Sequence, residues 1–245
     1  MQRLKIRHLT VYQFSGVVTL LPHRLLLRPR EGHDVRIEAS KLDISPAHRI
    51  KWHRDVFDNS VAVASFTEIA QRLTIGSEVI IRHYEVAPLD FIVEDYAVHY
   101  PFEYLQEERV DLAPFQQPVY LDQQPAVRDW FNSLNLPRGK VETYVLLDRL
   151  NQIIAKEFKY VVREEAGVQP PEQTLAIRSG SCRDYATLFI ETCRFLGLAS
   201  RFVSGYSHVP ELGAGGATTH AWAEVYLPGP GWKGFDPTAG ELTGS

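Results

Sequence analysis

The sequence predicts an α+β protein with a β-sandwich-like N-terminal domain and a core of helices followed by an antiparallel sheet. Three observations predict it. Residues 1–100 break into short runs rich in Val, Ile, Tyr, Phe and Thr, bounded by turn residues. From Pro125 the apolar spacing changes to a helical period. After Gly197 short strands return, so helices precede a second group of strands. The expected domains are therefore 1–100 and 125–245, joined by a linker over 101–124.

In the first part, residues 4–14, 49–56, 61–66 and 78–84 are the expected strands. Turns are expected at Ser15-Gly16, Asp58-Asn59 and Gly76-Ser77, and Asp58-Asn59 closes a hairpin. Alternation within these runs is imperfect, so register is not legible. The segment 101–124 carries Pro101, Pro114 and Pro118 with little periodicity, which is why it reads as a linker.

Pro125 suits the first turn of a helix that continues through residues 126–134. Val145, Leu146, Leu150, Ile153, Ile154 and Phe158 form a stripe that predicts a helix over 141–158. A third helix starts near Cys182, shows Tyr185, Leu188, Phe189, Cys193 and Leu196 on one side, and stops at Gly197. Residues 200–206, 220–227 and 232–235 are the closing strands, the last two joined by a turn at Pro228-Gly-Pro-Gly231.

The bulk properties narrow the function classes. A chain of 245 residues, 44% hydrophobic and 23% charged, is an ordinary globular protein. A net charge of −4 with no basic stripe points away from nucleic acid. No apolar run approaches the roughly 18 residues that cross a bilayer, so no membrane partner is expected. The N-terminus alternates charged and apolar residues and lacks the pattern of a signal peptide, so a cytoplasmic location is expected. Cys182 and Cys193, on one helix, would stand roughly 16 Å apart, far beyond disulfide reach. They are expected as free thiols, and with no CxxC spacing no metal is expected.

Cys182 is the most informative residue. Ser181 is a good N-cap, and Asp184 completes a capping box. Cys182 then sits in the first helical turn, where the dipole and unpaired N–H groups favour thiolate and can hold an oxyanion. His220 opens a strand on which it shares a face with Trp222, Glu224 and Tyr226, while Ala221, Ala223, Val225 and Leu227 take the core side. An ideal hairpin register places His220 opposite roughly residue 239, so a bulge is expected to bring Asp236 to the imidazole. A thiol, an imidazole and a carboxylate are the parts of nucleophilic acyl transfer. Each alone has a commoner structural role: small packing residue, polar strand residue, turn former. The three together carry the reading. Trp222 and Tyr206 are candidate pocket walls. The Cys182 N–H is an expected oxyanion donor, with Tyr160 or Gln173 as a candidate second donor. Gly213–Gly216 reads as a rim over the site.

The stretches Gly180-Ser-Cys-Arg-Asp184, Arg201-Phe-Val-Ser-Gly-Tyr206, His220-Ala-Trp-Ala-Glu-Val-Tyr226, Gly231-Trp232 and Phe235-Asp-Pro-Thr238 resemble the bacterial transglutaminase-like superfamily. Leu25-Leu-Leu-Arg-Pro-Arg30 resembles the β-rich region that precedes this core in many bacterial members. The resemblance implies a papain-like core, with a helix carrying the cysteine packed on an antiparallel sheet carrying His and Asp. It implies Cys182 as nucleophile, His220 as general base and acid, and Asp236 as the group that orients it. No acidic cluster suggests the calcium sites of animal transglutaminases, and no cofactor is implied. Relatives of this architecture commonly continue beyond Asp-Pro-Thr, whereas this chain stops seven residues later at Ser245, so a C-terminal truncation is expected. The expected substrate is a peptide or protein carboxamide, opened through a thioester, with hydrolysis slightly favoured over transamidation by analogy with bacterial cysteine proteases. The alternative is a binding or scaffold protein that keeps the fold without turnover. Oligomeric state is not legible.

Overall fold

Eighteen residues of nearly continuous extended chain open the molecule. Strand β1 (Gln2–Thr19) is followed by β2 (His23–Leu25), β3 (Val35–Ser45), β4 (His48–Arg54), β5 (Ser60–Phe66) and β6 (Ile69–His83). The computed structural model describes residues 1–84, 91–134, 136, 139–208 and 217–243. The chain divides into two compact units, Met1–Val86 and Ala87–Ser245.

The first unit has two antiparallel three-stranded sheets, ordered β1-β6-β3 and β2-β5-β4. Leu73 and Ile75 of β6 and Leu20 are buried with Phe14, Val18, Leu25, Leu42, Ile44 and Phe66 packed against them, so apolar faces of both sheets share one core. This is the sandwich-like arrangement expected. Asp58-Asn59 does close a hairpin: Asp55 accepts from the N–H groups of Phe57 and Asn59, and Asp58 takes φ 61°.

Two expected turns are corrected. Gly76-Ser77 lies inside β6, opposite Leu9 and His8 on one side and Asp43 and Leu42 on the other. Pairing on both edges holds glycine in a strand it would not favour alone. Ser15-Gly16 lies within β1, where the register shifts between Gln13 and Val18. Strands β2 and β3 were not expected, because their charged outward residues dilute the apolar signal.

The second unit runs β7 (His99–Tyr100), α1 (Gln106–Gln116), a 3₁₀ turn (Leu121–Gln123), α2 (Gln124–Ser133), β8 (Val141–Glu142), α3 (Thr143–Glu157), β9 (Lys159–Tyr160), α4 (Pro171–Ile177), β10 (Ser179–Gly180), α5 (Cys182–Phe195), β11 (Ser200–His208), β12 (Ala217–Leu227), β13 (Gly231–Asp236) and β14 (Glu241–Leu242). The last four strands form an antiparallel sheet in sequence order. Ala223, Val225, Leu227 and Phe235 of this sheet form one core with Leu188, Phe189 and Cys193 of α5. Every residue of α5 from Asp184 to Cys193 is buried, so the helix is enclosed on all sides. Each large apolar side chain so buried contributes about 1.5–3 kcal/mol.

The expected boundary at 100 and the linker over 101–124 do not match this division. The units part at Val86, and residues 101–124 carry α1 and the 3₁₀ turn within the second unit. Leu112 of α1 is buried with Tyr104 and Ala199. The N–H groups of Val119 and Tyr120 donate to the buried Glu191 carboxylate of α5. Pro114 sits in the last turn of α1, where it removes one backbone hydrogen bond just before the helix ends, and it hid the helix in the sequence.

Candidate functional site

Ser181 caps α5 in extended conformation, and Cys182 is the first helical residue. The cap is reinforced from Asp184, whose Oδ2 accepts from the Ser181 N–H and hydroxyl, both at 2.8 Å. Asp184 can fold back because position 180 has no side chain. A Cβ there would lie 2.9 Å from the Asp184 Cβ and 3.2 Å from the Tyr185 ring. Local sequence thus places the thiol at the positive end of α5, half exposed.

The sheet brings His220 to it. Strand β12 pairs with β13 from Leu227↔Gly231 to Ala223↔Phe235 without a register shift. Extending that register places Asp236 beside Trp222, two residues along from His220 and on the same face. Such diagonal neighbours lie about 7–8 Å apart at Cα, within reach of an imidazole and a carboxylate. His220 Nε2 and Asp236 Oδ2 are 2.6 Å apart, with side chains 14% and 13% exposed. The expected bulge is therefore absent, because a diagonal pair needs none.

Cys182 takes the space that β13 vacates. The Tyr226 N–H donates to Ala199, so even-numbered N–H groups of β12 face β11 and odd-numbered ones face β13. The last β13 partner is opposite Ala223, so the Ala221 N–H points past the end of β13, where it favours the charge on the Cys182 sulfur. The Arg183 N–H and the His220 side chain also act on this sulfur in favour of its charge. With Nε2 on Asp236, Nδ1 is the ring nitrogen left for the thiol.

Electrostatics follow from these contacts. Burial works against the Cys182 thiolate, but the His220 hydrogen bond and charge and two backbone N–H groups outweigh it and hold the thiol below its ordinary value. His220 is raised to about 9, first by the Asp236 hydrogen bond and then by that to Cys182. Burial opposes ionised Asp236, yet His220 and the N–H groups of Thr238 and Ala239 hold it below the usual carboxylate range. The three groups favour a thiolate–imidazolium pair backed by a carboxylate. Cys193 is fully buried and its thiol is pushed well up by desolvation.

Trp222 lies beside His220, ring centroids 6.4 Å apart. Its indole crosses Gly205, where a Cβ would meet the ring at 2.5 Å. Gly205 is thus the floor of the Trp222 slot and pairs directly with His220. Tyr206 is half-buried on β11 opposite Thr219. Tyr160 is half-exposed; burial, then the charges of Cys182, Asp184 and Asp236, push its hydroxyl up and keep it a donor. Gln173 lies exposed on α4, with no hydrogen bond to Cys182 or His220 among the described residues. The buried neighbour is Gln169, whose side chain binds Thr174 and the Ser179 carbonyl. The expected rim at Gly213–Gly216 lies outside the described residues. Among the described residues no group of three or more His, Cys, Asp or Glu could hold a metal.

Sequence reasoning missed the Ala221 N–H, because only the end of β13 frees it. It also missed Arg163, which bonds Asp184 from a loop without any motif.

Residues 4–82 match the bacterial transglutaminase-like N-terminal region, and residues 135–237 match the transglutaminase-like superfamily. An uncharacterised protein of Mycobacterium tuberculosis H37Rv is 32% identical over 259 residues, covering 98% of this chain and 80% of that one. A protein of Mycobacterium bovis matches to the same extent. A candidate cysteine protease from Cytophaga hutchinsonii has a crystal structure with TM-score 0.73 and 19% identity, covering 96% of this chain and 76% of that one. That likeness establishes a shared fold.

Proposed function

The chain belongs to the transglutaminase-like superfamily, and from that premise we propose that it is a cysteine-nucleophile acyl-transfer enzyme acting on peptide or carboxamide bonds. The supporting observation is that His220 Nε2 lies 2.6 Å from Asp236 Oδ2, while Asp236 and Cys182 both favour the charged ring. This is the arrangement that makes a nucleophile and its proton carrier at neutral pH.

In the proposed reaction the Cys182 thiolate attacks the carbonyl carbon. The oxyanion forms near the Cys182 N–H at the first turn of α5, with the Tyr160 hydroxyl as the second donor. The C–N bond breaks, the amine leaves with the His220 proton, and a thioester remains on Cys182. His220, now neutral, takes a proton from water as the oxygen attacks the thioester. The C–S bond breaks, the carboxylic acid leaves, and the thiolate is restored. An amine in place of water gives transamidation by the same steps. Hydrolysis is the favoured outcome. Asp236 holds the ring and its charge. Trp222, beside His220, forms a wall of the acyl site, and Tyr206, paired with Thr219, lies on the other face of the sheet. The expected compartment is the cytoplasm, where two free thiols persist.

The test is acid-quenched mass spectrometry with a library of blocked peptide amides and glutamine peptides, with and without a primary amine. An acyl mass on Cys182, lost in His220→Ala, supports the enzyme. A free acid as the main product supports hydrolysis, and an amine adduct supports transamidation. A reactive thiol that acylates with no carboxamide would favour the binding-protein alternative.

A further inference from the structure

Arg163 and Asp184 form an ion pair two residues from the thiol, and the proposed steps use neither. Arg163 Nη1 lies 2.8 Å from Asp184 Oδ1, with the side chains 16% and 0% exposed. Asp184 also accepts from the Gln169 N–H at 2.7 Å and from Ser181 at two points. The guanidinium of Arg183 donates to the carbonyls of Arg163 and Glu165. The residues just after the nucleophile therefore strap segment 163–169 onto the first turn of α5.

The strap sets a conflict. Asp184 accepts four hydrogen bonds and so needs its negative charge. That charge lies in the same helical turn as the Cys182 sulfur, whose ionisation a like charge opposes. Other groups around Asp184 do not offset it. Tyr120, Tyr160 and Tyr185 face it as neutral hydroxyls with raised values. Glu165 is anionic, 73% exposed, and 3.6 Å from Arg163. His220 is committed to Asp236 and the thiol. The Arg183 guanidinium is committed to carbonyls.

We propose that Arg163 is a positioning and charge-compensating residue: it cancels the buried Asp184 carboxylate, so the turn can carry the strap and still present a thiolate. The proposal rests on the thiol-enzyme reading above. It predicts opposite effects for the two partners of one ion pair. Arg163→Gln leaves Asp184 uncompensated, so the pH midpoint of Cys182 alkylation by iodoacetamide rises by about one unit and the rate below the wild-type midpoint falls about tenfold. Asp184→Asn removes the buried negative charge in the turn that carries the thiol, so the midpoint falls. Arg163→Lys keeps the wild-type profile.

The experiment is the pH profile of Cys182 alkylation in the full chain, with folding checked by circular dichroism. A merely structural pair predicts that both substitutions loosen the turn and move the midpoint the same way. Shifts in one direction, or no shift in Arg163→Gln, overturn the proposal. If Arg163→Gln does not fold, Asp184→Asn decides, and an unmoved or raised midpoint overturns the proposal. A wild-type Cys182 that alkylates like a simple thiol would instead sink the enzyme reading, whatever the variants do.

Discussion

Asp236→Asn removes one charge and preserves shape, and its effect can be sized from the site. His220 stands at about 9 against 6.5 for a free imidazole. The difference corresponds to about 3 kcal/mol favouring the charged ring. Asp236 is the largest contributor and Cys182 the second. Losing the carboxylate should remove more than half, bringing His220 down by at least about one pH unit. The thiolate then loses part of the charge that holds it, so the acid limb of Cys182 alkylation moves to higher pH and the rate on that limb falls by up to about tenfold. The assay is iodoacetamide labelling against pH, read as mass on Cys182, with the His220 ring followed by NMR. If both midpoints stay where they are in the wild type, the carboxylate does not charge the imidazole and the reasoning fails.

Other consequences can be checked alongside. His220→Ala should slow alkylation and abolish turnover while leaving the melting temperature nearly unchanged; a large loss of stability would make His220 a core residue. In the native protein a thiol reagent should titrate one cysteine, Cys182, and reach Cys193 only on unfolding, since Cys193 is fully buried. Gly205→Ala places a methyl 2.5 Å from the Trp222 ring and should cost about 1–3 kcal/mol in denaturant unfolding; a neutral result would mean the indole has room to move. Asn151 is buried on α3 and donates to the Glu241 carbonyl beside Asp236. Asn151→Ala should lower the melting temperature and the His220 titration midpoint together, and a drop in stability alone would limit Asn151 to packing.

The second unit was more legible than the first, for physical reasons. Helix α5 announces itself through a cap, a capping box and a terminal glycine, all local signals. The strands carrying His220 and Asp236 follow a clear alternation and a tight Pro-Gly turn. Their convergence also depended on register, which the turn set to within about one residue. Strand β6 was cut at Gly76-Ser77 because a central strand gains from two neighbours that sequence does not show. Helix α1 was read as linker because Pro114 weighs heavily in local rules, while Leu112 is buried only by tertiary packing. Arg163 left no trace, since a loop arginine signals nothing until its carboxylate is known.

Thiolate absorbs in the ultraviolet where thiol does not, so subtracting the Cys182→Ser spectrum from the wild type across a pH titration reads the nucleophile directly. The sulfur drawn above, held by an imidazolium and two amides, should already absorb at neutral pH and lose that signal in His220→Ala. A difference band that emerges only near the ordinary cysteine range, about 8.5, with or without His220, would contradict it.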